Sequence, residues 1–225
     1  MKNNLKLSQL LIVTLFVTIF SCSSDDDAVT VSNTNITPPL TEVDYTLTLQ
    51  PSAAEGKDAF IYTANMDANF ANHTDFMVFQ NSSITRSLMQ FDLTDIPTDA
   101  TINTAELSLF GYTSPSNGSN YGFNESLLQK LDTAWSEDTV TWNNQPSSSS
   151  LNQVTLAQST STNQDYLNID IKAMISDMVE DPSINHGFVF KLADETASAK
   201  MVFGSSDNPD SNLHPKLVIS YTVLE

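Results

Sequence analysis

The sequence predicts an all-β sandwich carrying one short helix. Apolar residues alternate with polar ones in many short runs, and turn-forming residues separate those runs. A single segment has apolar residues at helical spacing instead.

The first run is Tyr45, Leu47 and Leu49 between threonines, a strand with one wet face. Runs at Ala59–Tyr62, Phe76–Phe79 and Leu88–Phe91 follow. Ala105, Leu107 and Leu109 then alternate with Glu106 and Ser108. Further runs fall at Leu127–Leu131, Tyr166–Ile169, Phe188–Leu192, Met201–Phe203 and Leu217–Val223. Pro115-Ser116-Asn117-Gly118 and Asp207-Asn208-Pro209 are turn signals between them. About ten to twelve short strands at this spacing suit a sandwich. The segment from Thr133 to Pro146 has the pattern turn, strand, turn. Glu137-Asp138 is the acidic turn, Thr139-Val140-Thr141 the β-branched run, and Asn143 to Pro146 the stop. It holds both tryptophans of the chain, Trp135 and Trp142. Ser147–Ser150 and Ser159–Asn163 are expected to be low-complexity loops. Ile171, Met174, Ile175, Met178 and Val179 share a helical face, which predicts a helix over Ile171–Glu180. Asp170 is placed to cap it and Asp181-Pro182 to end it. No internal repeat is visible.

Lys2 and Lys6 precede an apolar run from Leu10 to Phe20 and then Ser21-Cys22, the layout of a secretory signal. The run falls short of the roughly 20 apolar residues that span a bilayer. Ile19-Phe20-Ser21-Cys22 resembles a bacterial lipobox, although Phe20 stands where a small residue is usual. Cys22 is the only cysteine, which excludes a disulfide or a cysteine metal site and makes it the expected lipidation site. Ser23-Ser24-Asp25-Asp26-Asp27 resembles the surface-export signal of Bacteroidota lipoproteins, and is equally readable as a solvated charge run. The expected organisation is a signal over residues 1–21, a tether over 22–43 and one domain over 44–225. A lipid-anchored protein of the outer membrane, exposed at the cell surface, follows from that organisation.

Removing the signal leaves seven basic residues against 27 acidic ones, a net charge of −20. A chain with Arg86 as its one arginine offers no basic patch to nucleic acid, and the expected state is a monomer. His73, His186 and His214 are far apart in sequence, and no nucleophile elbow is present. Any pair chosen among 27 carboxylates would be arbitrary, so the expectation is a protein that is not an enzyme.

Several segments together carry a family resemblance. WSEDTVTWNNQP over 135–146 resembles the hallmark of the DNRLRE domain, also described as carbohydrate-binding module family 96. DAFIY over 58–62 resembles its opening strand, and Arg86–Tyr112 its long central block. Leu167–Leu192 resembles its strand–helix–strand section, and Phe203–Thr222 its closing hairpin. The resemblance runs from about Tyr45 to the C-terminus. It sharpens the fold to a jelly-roll β-sandwich and implies capture of a polysaccharide.

Sugars are bound by stacking on aromatic faces and by hydrogen bonds from amides, acids and lysines. The candidate binding residues are therefore Trp135, Tyr112 and Tyr121, with Phe123 in the same Gly/Asn/Ser loop; Trp135 and Trp142 are also readable as hydrophobic core and strand-end anchors. Arg86 matches a position the family fills with arginine. It is readable as an internal clamp or as a bidentate partner for a sugar carboxylate, with Lys130 and Lys200 assisting. Some members bind alginate, but the acidity of this chain argues against an anionic glycan. Jelly-roll modules often hold calcium near an edge, so Ca²⁺ is a candidate structural cofactor, with Asp58, Asp170 and Asp207 as its nominated ligands. Because DNRLRE domains also serve as spacers, a structural or adhesive module of the envelope stays open as the alternative.

Overall fold

The computed structural model describes residues 39–225. The signal, Cys22 and most of the tether lie outside the described residues. The body is a β-sandwich of two antiparallel sheets. One sheet has four strands in the order β1-β11-β5-β8: β1 Glu42–Leu49, β11 Lys216–Leu224, β5 Thr101–Leu109 and β8 Tyr166–Asp170. The other has seven strands, with a path β10-β3-β4-β9-β6-β7 and β2 paired to β4. These are β2 Asp58–Tyr62, β3 Asp75–Gln80, β4 Ile84–Met89, β6 Ser126–Leu131, β7 Ser148–Leu156, β9 Phe188–Leu192 and β10 Ala199–Gly204.

Period-2 alternation decides which side chains face inward. In β10, Ala199, Met201 and Phe203 enter the main core, while Lys200 and Val202 turn outward. In β3, Phe76 and Val78 enter it, while Met77 and Phe79 do not. Ala105, Leu107, Leu109, Leu217 and Ile219 of the four-stranded sheet meet Phe188, Phe190, Leu128 and Phe203 of the other. The outer face of the seven-stranded sheet is not bare. The Trp135–Trp142 segment covers a satellite cluster there that includes Ala59 and Ile61, while Phe60, Met77 and Val202 form a second cluster beneath Phe70, with Phe60 on the other face of β2.

One helix, α1 Lys172–Glu180, buries Met174, Ile175, Met178 and Val179 in the main core, which is the face expected from their spacing. It starts one residue later than expected. Ile171 occupies the cap position without a side-chain bond, while Asp170 accepts from the Lys172 N–H at 2.9 Å. Asp181 ends it, and Pro182 opens a 3₁₀ turn.

Two local expectations are corrected. Thr139-Val140-Thr141 is not a strand: residues 137–139 form a turn, closed by Val140 N–H to Ser136 C=O at 2.9 Å. Ser148–Ser150 is not loop but the start of β7, paired with β6. Backbone pairing makes that edge strand, because only Leu156 of its nine residues is buried and no alternation announces it.

Candidate functional site

The tryptophan segment is a clasp on the outer sheet face. Trp135 donates its indole N–H to His186 C=O at 2.9 Å, and Lys57 Nζ lies 4.5 Å over its ring. Glu137 accepts the Asp58 N–H at 2.7 Å, which caps the first residue of β2. Val140 is buried with Ala59, Ile61, Leu88, Leu131 and Val189, and both indoles pack on that cluster. Arg86 lies 4.7 Å over the Trp142 ring, pairs with both oxygens of Glu195 at 2.6 and 2.7 Å, and donates to Gln145 at 2.9 Å. The motif residues thus hold one another and β2 in place. Lys130 is elsewhere: it is buried on β6 and donates to Asp177 of α1 at 2.7 Å, fastening the helix to the sheet.

The acids nominated for calcium do not assemble. Asp58, at the start of β2, lies near Asp207 of the turn after β10, whereas Asp170 is exposed on β8 of the other sheet, opposite Glu106. Asp58 is buried and accepts the Ser206 N–H at 2.9 Å; desolvation pushes its carboxyl up to about 6. Burial also raises Glu137 and Asp207 above the usual carboxylate range. Among the described residues, no group of three or more His, Cys, Asp or Glu is placed to hold a metal ion.

Two hollows of about 490 and 530 Å³ at one end of the sandwich share Glu55, Gln90, Phe91 and Asp92. Their one aromatic is Phe91, which is only 4% exposed, so they offer little ring face to a sugar. A third hollow differs in kind. It is a groove of about 390 Å³ over β2, β3, β4 and β10, lined by Phe60, Tyr62, Phe70, Phe79 and Met77. Register builds it: Tyr62 faces Thr85, Thr85 faces Phe79, and Phe79 faces Lys200, all cross-strand neighbours on one sheet face. Phe70, on the loop after β2, stacks on Phe60 with ring centroids 4.3 Å apart and meets Tyr62 edge-on at 6.4 Å. That loop is stitched to the tryptophan clasp, because Asn69 donates to the carbonyls of Glu137 and Val140 at 2.6 and 2.9 Å.

Polar groups border the rings. His73 accepts the Asp75 N–H on Nδ1 at 3.1 Å, so in the neutral ring Nε2 carries the proton and is a donor. Thr85 Oγ1 is buried and has no hydrogen-bond partner among the described residues. Lys200 Nζ sits 4.8 Å from the Phe79 ring and 5.4 Å from Tyr121, and donates to Asn117 C=O. Burial pushes the Lys200 ammonium down, opposed by the Asp75 charge. Asp75 is buried and organises the rim, taking hydrogen bonds from Tyr112, from Ser114 at 2.7 Å and from Asn117 at 2.5 Å. Burial and Asp75 push the Tyr112 phenol up to about 12.

Of the residues nominated from sequence for sugar contact, Tyr112 and Tyr121 therefore border this groove, while Trp135 and Arg86 belong to the clasp and Lys130 to the helix contact. Phe60, Tyr62, Phe70, Phe79, His73 and Thr85 were not nominated. Period-2 placement of Tyr62 and Phe79 on a non-core face was the signal available for them.

A family model described as carbohydrate-binding module family 96 matches residues 49–221. No curated protein matches the chain.

Proposed function

Since the chain belongs to carbohydrate-binding module family 96, we propose that it is a non-catalytic, surface-tethered lipoprotein that captures polysaccharide. The observation carrying this reading is the aromatic groove: four rings on a pleated face, bordered by donors that match hydroxyl groups. It is shallow and partly open, as a site must be to admit a long chain at any point along its length. The lipobox-like run ending at Cys22 supports an anchor.

The test is a pull-down on insoluble polysaccharides and a glycan array, using the chain from Ala28 onward. Retention on at least one glycan without release of products is expected. No retention at millimolar concentrations, or product formation, would overturn the respective half of the reading. Cys22→Ser is expected to move the full chain from the membrane to the soluble fraction.

A structural or adhesive role finds support in the edge strands, since Leu151 of β7 and Leu167 of β8 are 64% and 56% exposed. Retention of envelope proteins, with no glycan retained, would favour that role.

A further inference from the structure

We infer that the aromatic groove selects a neutral pyranose chain over a polyuronate, and that the Thr85 hydroxyl is one of its recognition groups. This inference rests on the carbohydrate-binding reading above and specifies its ligand class.

Charge comes first. Among the described residues, the groove is lined by one permanent cation, Lys200, and by no carboxylate. That cation is already engaged: it bonds to Asn117 C=O, lies near the Phe79 and Tyr121 rings, and has the buried Asp75 close enough to act on it. A uronate would have to draw Lys200 away from these partners, inside a protein of net charge −18. A neutral sugar needs none of this. Its C–H face fits the Tyr62, Phe70 and Phe79 rings, which keep part of their surface exposed.

Polar fit comes second. Thr85 is 1% exposed, lines the groove, and leaves its hydroxyl without a partner among the described residues. An unsatisfied buried hydroxyl costs the fold stability unless something else satisfies it. Two residues along β4, Ser87 Oγ accepts the Met77 N–H at 2.9 Å and donates to Met77 C=O at 2.7 Å, whereas Thr85 Oγ1 makes no such bond among the described residues. His73, which also lines the groove, has its Nε2 fixed as a donor by the occupation of Nδ1. A free hydroxyl and a ring N–H donor lining the same groove as stacked rings suit the hydroxyl groups of a hexose or pentose.

The experiment is affinity electrophoresis of the full chain, in mild detergent, through a soluble β-glucan, a mannan, a xylan, alginate and polygalacturonate. Retardation by at least one neutral polymer is expected. Its affinity should change less than about twofold between about 0.05 and 0.5 M NaCl, because no ion pair is screened. Thr85→Val keeps the side-chain shape and removes the orphan hydroxyl. It should leave thermal stability unchanged or higher while weakening binding about fivefold. Phe70→Ala should weaken binding about tenfold. Three results overturn the inference. Retardation by polyuronates alone, lost in Lys200→Met and in high salt, refutes the neutral class while leaving carbohydrate binding intact. Neutral binding unaffected by both Thr85→Val and Phe70→Ala refutes the location. Retardation by nothing refutes the carbohydrate reading together with this one.

Discussion

The guanidinium of Arg86 is held on three sides, by both Glu195 oxygens, by Gln145 and by the face of Trp142. With side chains 24% and 20% exposed, this pair is screened less than a surface bridge. Removing the guanidinium leaves Glu195 half-buried and Trp142 uncovered. Arg86→Leu is therefore expected to cost about 2–3 kcal/mol, read as a lower urea midpoint with an unchanged slope. Sequence offered both an internal clamp and a sugar-carboxylate partner for this residue. Glu195 and Gln145, which make the clamp visible, lie 109 and 59 positions away and carry no mark of their own. Asp58 gives a pH prediction. Its folded carboxyl titrates near 6, above the ordinary 3.8, so the native state binds the extra proton between those values. Stability contributed by that proton is present at low pH and is lost as pH rises towards about 6, by roughly 2–3 kcal/mol. Asp58→Asn keeps an acceptor for Ser206 N–H and removes the charge. Its unfolding free energy should vary less than that of the parent between pH 4 and pH 7, approximately flattening this part of the profile.

At the scale of elements, α1 was legible because its apolar spacing coincides with its buried stripe. Met174 has no exposure, so Met174→Ala should open a cavity and destabilise by about 2–5 kcal/mol in chemical denaturation. Turns with special backbone needs behave differently. Gly187 has φ +78° just before β9, and an added Cβ would strike Met89 C=O. Gly187→Ala should lower the melting temperature with at least about 2 kcal/mol of destabilisation. Most strands were legible from alternation, to within a few residues at their ends. β7 was not, because an edge strand of serine, asparagine and threonine is specified by its neighbour β6 and by little in its own pattern. The opposite error came from Thr139-Val140-Thr141, where β-branched propensity lost to the hydrogen bonds of a turn and to burial of Val140. The groove was illegible for a third reason. Its rings come from β2, the following loop and β3, and only the register of β2, β4, β3 and β10 brings them onto one face.

For the whole molecule, one core shared by two sheets favours a single cooperative unfolding transition of the described body. Its charge acts on all of it at once. A net −18 in 225 residues is self-repulsive, and added salt screens that repulsion beyond about 10 Å at 0.1 M. Raising NaCl from about 0.05 to 0.5 M is expected to raise the melting temperature by a few degrees, monitored by far-ultraviolet circular dichroism. The same titration should leave neutral-glycan affinity nearly level, which separates a field effect on the fold from a contact in the groove.

The backbone of Thr41 exchanges hydrogen bonds of 2.7 and 2.9 Å with Glu225, so the body begins and finishes at one corner, on an edge of the four-stranded layer. Threaded into a longer polypeptide, such a body would hang as a pendant bead and add almost nothing to the reach of its host. Its aromatic trough, carried on the opposite layer, would stay clear of whatever grips the two ends.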